Sequence, residues 1–184
     1  MSSVLFGGSR SLPPSALPLV RAVVGAWLAS GGLVSVGCAV GADLLVLSSV
    51  PAGLASRLRV FASFSACGAG AWRGSAVAPV LACARAGVSV SFLAGGSLAV
   101  PLIARLMGRS VAALAGCSAA VFFSPGPGSL KVAGVAVARG LPVFAFGACP
   151  AGRPRGAAGQ WVAASWCGLS CWAWSPAAVQ PGLL

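Results

Sequence analysis

Five residue types are missing from this 184-residue chain: histidine, tyrosine, threonine, asparagine and glutamate. Lysine, isoleucine and aspartate occur once each, as Lys131, Ile103 and Asp43, and methionine and glutamine twice each. All ten types are encoded with adenine at the first or second codon position, which points to a coding strand poor in adenine. The absences also exclude chemistry. Without histidine, no side chain has an ordinary pKa close to neutrality, and no serine or cysteine nucleophile has an imidazole base. A lone carboxylate cannot form the paired acid–base machinery that many hydrolases use. Seven cysteines, at 38, 67, 83, 117, 149, 167 and 171, include no CxxC pair and no histidine partner, so a zinc site is not indicated. Their odd number and apolar settings read as small buried hydrophobes in a reducing, cytoplasmic compartment.

What remains is 58% hydrophobic and only 7% charged, yet the net charge is +11. Arginine in place of lysine follows from the same codon bias, so the charge has two readings. One is mutational drift; the other is attraction to phosphates, nucleic acid or acidic surfaces. The cations are scattered, with no basic tail. Three uncharged stretches, 22–42, 86–104 and 110–130, reach membrane-spanning length. Each is interrupted by turn residues, "SGG", "AGG" or "SPGPGS", and no secretory-leader pattern opens the chain. A membrane-associated or structural protein is therefore the weaker alternative to a globular one.

Along the chain, short apolar runs alternate with stretches of helical spacing. Val4–Phe6, "LVSVG" from 33, Arg59–Phe64, "VSVSF" from 88, "SAAVFF" from 118 and "LPVFAF" from 141 read as strands. Helices are predicted between them, the first with apolar positions 17, 20, 23, 24, 27 and 28, the fourth with a kink at Pro101. Strands alternating with helices predict a three-layer α/β/α fold of Rossmann type, with a mostly parallel sheet of about six strands. This domain is expected to span 1–148. Residues 149–184 lose the pattern and read as a Pro/Gly linker followed by a Trp-rich segment with Trp161, Trp166, Trp172 and Trp174. That segment either covers an open sheet edge or offers an aromatic surface for a partner or a second copy.

In an open parallel sheet, ligands sit beyond the carboxyl ends of the strands. Three loops predicted there are rich in small residues: Gly7-Gly8-Ser9-Arg10, the turn containing Gly41 and Asp43, and the loop containing Gly126, Gly128 and Ser129. Helix-start amides attract anions, and Arg10 adds a forked permanent charge. Neither GxGxxG nor the Walker pattern occurs. Arg105 and Arg109, four apart, share a helix face. They read either as solvated surface arginines or as a phosphate clamp beside the Gly126–Ser129 loop. Asp43 has two readings as well, a cap on the second helix, worth about 1 kcal/mol, or an acceptor for a ribose hydroxyl or base N–H. Trp72 reads first as an anchor for its loop; with Arg73 it otherwise pairs an aromatic with a cation, as single-strand binders do.

The order "VLFGGSR", "VSVGCAVGADLLV", "PLIARLMGRSVAALAGCSAAVFF" and "PGPGSLKVAGVAVARGLPVFAF" resembles the SLOG superfamily of Rossmann-like proteins over residues 3–146. That superfamily includes DNA-processing protein A and lonely-guy-type nucleotide hydrolases. The resemblance implies a nucleotide or nucleic-acid phosphate site from Gly7, Gly8, Ser9, Arg10, Gly41, Asp43, Arg109, Gly128 and Ser129. The chain departs from the hydrolase branch, because Lys131 and no glutamate follows the last glycine turn. The expectation is therefore binding of a nucleotide or nucleotide-derived ligand without catalysis, with single-stranded DNA or RNA binding as the alternative. No catalytic residue, metal or fixed cofactor is assigned.

Overall fold

A computed structural model describes residues 1–71, 76–93 and 97–177. The strands are β1 (Ser3–Gly8), β2 (Leu33–Val36), β3 (Leu58–Ala62), β4 (Ser89–Phe92), β5 (Cys117–Phe123), β6 (Val143–Phe146), β7 (Gly159–Trp166) and β8 (Leu169–Pro176). The α-helices are α1 (Leu17–Ala29), α2 (Ala42–Leu47), α3 (Val77–Arg85), α4 (Leu102–Leu114) and α5 (Pro127–Ala138). One sheet holds all eight strands in the order β4-β3-β2-β1-β5-β6-β8-β7. The first six are parallel, and β8 joins β6 antiparallel.

A parallel sheet is buried on both faces, so its central strands are mostly apolar on successive positions; the buried polar pair there, Ser3 and Ser35, is hydrogen-bonded from β1 to β2 at 2.9 Å. Val4 and Phe6 of β1 face one way, with Val121 and Phe123 of β5, into a core closed by α1, α2 and α3. Leu5, Ala120 and Phe122 face the other way, against Ala113 and Leu114 of α4 and Val132, Ala133 and Ala136 of α5. This is the expected three-layer fold of Rossmann type. Pro101 does not kink α4; it stands at the N-cap, where a missing N–H matters least. No described helix is long and apolar enough to cross a membrane.

The sheet has two more strands than the six expected. β7 and β8 form a hairpin in the Trp-rich segment, and their pairing explains the Trp spacing that no helical stripe fits. Trp161 and Trp174 are cross-strand partners with ring centroids 5.3 Å apart. Trp166 points to the opposite face, 5.4 Å from Trp27 and 6.0 Å from Phe6, and is buried. The two-residue turn, Cys167 and Gly168, has positive φ at both positions (49° and 78°), the backbone that matches strand twist in tight hairpins.

Candidate functional site

The chain leaves β1 toward β2 on one side of the sheet, while β5 and β6 extend it on the other. The connections diverge between β1 and β5, and a crevice opens at their carboxyl ends. A cleft of about 310 Å³ lies there. Its lining includes Gly7, Gly8, Ser9, Arg10, Asp43, Arg109, Gly126, Gly128 and Ser129. Nine of the eleven residues singled out in the sequence thus meet at one mouth. Gly41 and Arg105 do not line it.

Close packing of backbones shapes the mouth. A Cβ on Gly8 would run into the Phe123 backbone and the Ala42 side chain, so the chain can leave β1 at this point only as glycine. Ser9 is held from both sides: its N–H donates to Phe123 O at 3.0 Å and its carbonyl accepts the Ala42 N–H at 3.0 Å. Gly41, with φ of 77°, packs its α-carbon against the Ser9 and Arg10 backbone, which places it behind the loop and out of the cleft. Across the mouth, Ser129 Oγ donates to Gly8 O at 2.7 Å and ties the start of α5 to the end of β1.

Helix geometry leaves the first N–H groups of α5, those of Gly128 and Ser129, without carbonyl partners inside the helix. They carry the positive end of a twelve-residue helix. The Arg10 guanidinium reaches the same place: Nη2 lies 4.0 Å from where a Gly128 Cβ would stand. A permanent cation and a helix start therefore converge on one spot of the rim.

The cleft floor holds a buried ion pair. Arg109 Nη1 donates to Asp43 Oδ2 at 3.1 Å, and the Ala39 N–H donates to the same oxygen at 2.9 Å. No side chain caps α2, so Asp43 serves the loop preceding the helix and not the helix end. Both described bonds use Oδ2, while Oδ1 sits 3.7 Å from the position of a Gly7 Cβ. Arg109 Nε is buried without a hydrogen-bond partner. Gly37 makes the pair geometrically feasible, because any side chain there would occupy the space of the Arg109 guanidinium. The sequence singled out both ions but carried no signal that they pair across 66 positions, nor that Gly37 is required between them.

Arg105 shares its helix face with Arg109, yet goes elsewhere. Its guanidinium donates to Ser63 O at 3.0 Å and to Gly70 O, and Nε donates to Val100 O at 3.1 Å. It is buried and fastens the loop after β3 to the start of α4. Trp72 and Arg73 lie outside the described residues. The cysteines are free, and among the described residues no cluster of three His, Cys, Asp or Glu side chains is present. A hydrogen bond between Ser65 and exposed Cys67 holds that thiol below the usual range, while burial pushes Cys117 up.

Fold and cleft together define an open-sheet α/β protein of Rossmann type with a glycine-lined crevice at its switch point. No protein-family model matches the chain, and no curated protein matches it. Among solved structures it is similar to DNA processing protein A from Helicobacter pylori, described for its single-stranded DNA binding mode. The identity is 15% and the TM-score 0.62, over 78% of this chain and 64% of that one. The chain thus spans somewhat under two thirds of that structure's length, and the likeness is one of fold.

Proposed function

We propose that the chain binds a phosphate-bearing nucleotide, or a nucleotide-derived ligand, in the cleft above β1 and β5. The observation that carries this reading is the convergence of the Arg10 guanidinium and the α5 amides on one rim of a pocket large enough for a small ligand. A phosphate would take the Gly8–Arg10 and Gly126–Ser129 rim. Deeper in, Asp43 Oδ1 would accept from a ribose hydroxyl or a base N–H. Binding without turnover is favoured, because the sole carboxylate is engaged by Arg109 and the chain has no histidine or glutamate.

Isothermal titration with AMP, ADP and ADP-ribose tests this. Binding is expected for at least one, and Arg10→Gln should weaken it by about tenfold or more, the worth of one charge-assisted hydrogen bond. Silence across the panel from folded protein would overturn the reading.

Two observations favour a second reading, in which the cleft holds one nucleotide of a single strand: the solved structure of similar fold is described for binding single-stranded DNA, and the net charge is +11. Affinity for an oligonucleotide must then fall steeply with salt.

A further inference from the structure

Residues 149–158, between β6 and β7, read as a linker in the sequence, but part of this segment is braced against α5. The Arg155 N–H donates to Leu130 O at 3.0 Å, and the Trp161 indole N–H donates to Gly152 O at 2.8 Å. Pro154 is buried. Gly134 has no Cβ, and a Cβ there would collide with the Arg155 carbonyl; Gly152 likewise lies against the Leu130 side chain. Backbone is thus pressed onto the first turns of α5, while the side chains of Arg153 and Arg155 remain exposed, as does that of Lys131 on the helix itself.

The segment that carries Arg153 and Arg155 docks on the helix whose first turn borders the cleft. Arg10 reaches α5 at Gly128, and Arg155 is anchored at Leu130 and Gly134. At 1.5 Å per residue, Gly128 and Gly134 are only about 9 Å apart along the helix. The only acidic side chain of the whole chain, Asp43, is buried and paired, so no side-chain carboxylate interrupts the run.

We propose that Lys131, Arg153 and Arg155 form a second contact surface that continues the cleft's positive rim along α5. This surface would carry the neighbouring phosphates of a single-stranded nucleic acid whose one nucleotide sits in the cleft. The proposal rests on the nucleotide-site reading and adds the direction in which the strand runs. Nucleic acid suits the surface better than a lipid headgroup layer. Among the described residues, the large exposed apolar side chains, Met1, Leu19, Leu98, Val100 and Ile103, belong to none of the elements that build it. A helix that lies in a membrane interface exposes apolar side chains for insertion.

The test uses fluorescence anisotropy with an oligothymidylate of about 20 nucleotides, long enough to cover cleft and flank together, and calorimetry with AMP, ADP and ADP-ribose. Each phosphate contact on a single strand contributes about 0.7 to the slope of log K against log salt. R153Q/R155Q should therefore lower that slope by about 1.4 and weaken the oligonucleotide, while leaving nucleotide affinity as in the unaltered protein. R153K/R155K should restore the slope. R21Q/R85Q, an equal charge change on α1 and α3 across the sheet, should leave the slope close to its original value. Equal losses from R153Q/R155Q and R21Q/R85Q would overturn the proposal in favour of diffuse charge, and so would binding to phosphatidylserine vesicles with the same loss of slope. A nucleotide that binds without any oligonucleotide binding would overturn this proposal alone. Failure of every nucleotide and of the oligonucleotide would remove the nucleotide site as well.

Discussion

Asp43 carries two obligations through one oxygen. Oδ2 accepts from Ala39 and from Arg109, so the carboxylate holds the turn after β2 to helix α4. Removing it leaves the Arg109 guanidinium buried without a counter-charge, which costs about 3–5 kcal/mol, well above the loss of a helix cap, about 1 kcal/mol. Asp43→Ala is thus expected to lower the free energy of urea unfolding by the larger amount, and a loss near the smaller one would show that the pair is solvated. Replacing both ions by apolar residues of similar volume, as in Asp43→Leu with Arg109→Met, should recover most of that loss. The sequence pointed to Asp43 because it is the only acid, and to Arg109 because a family resemblance included it. Spacing alone could not distinguish Arg109 from Arg105, since four residues place both on one face and say nothing of what that face meets. Arg105 meets the carbonyls of Ser63 and Gly70, and Arg109 meets Asp43.

Among the elements, the β7–β8 hairpin is the one the sequence hid. Its aromatic residues divide between two antiparallel strands, so their linear spacing obeys no single period. Only the pairing brings Trp161 opposite Trp174. Trp166 reaches the core shared by Phe6, Trp27, Phe144 and Phe146, with ring centroids between 5.4 and 6.2 Å. The hairpin is therefore part of the hydrophobic core. Trp166→Ala should cost about 3–5 kcal/mol, read as a fall in unfolding free energy with one cooperative transition. A second, earlier transition would mean that the hairpin melts apart from the sheet. The alternating elements before it were legible because β1, β2, β5 and β6 are short, mostly apolar runs that end at Gly7–Gly8, Gly37, Ser124–Pro125 and Gly147. Helical spacing between such runs leaves one arrangement, strands side by side with helices on both faces.

Across the whole molecule, the charge is unusual in kind as well as size. Twelve cationic side chains face no surface carboxylate from any side chain, because the only one is buried. No histidine or glutamate is present, no remaining side-chain type ordinarily titrates between about pH 5 and 7, and Cys67, the thiol held below its usual range, does not line the cleft. Affinity for an oligothymidylate should accordingly change by less than about twofold over that interval, while falling steeply with salt at any pH within it. Anisotropy titrations at fixed ionic strength check this, and a large pH effect would mean that a titrating group of the protein takes part.

The sequence by itself determined the layered fold, the glycine turns at the strand ends and the excess of positive charge, because apolar period, turn chemistry and composition are local properties of the chain. Only the tertiary structure decided that Asp43 spends one oxygen on Arg109, that Arg105 is withdrawn from the cleft, and that Arg153 and Arg155 stand beside α5. These depend on contacts between residues far apart in the chain, which sheet order and helix docking bring together and no local pattern encodes.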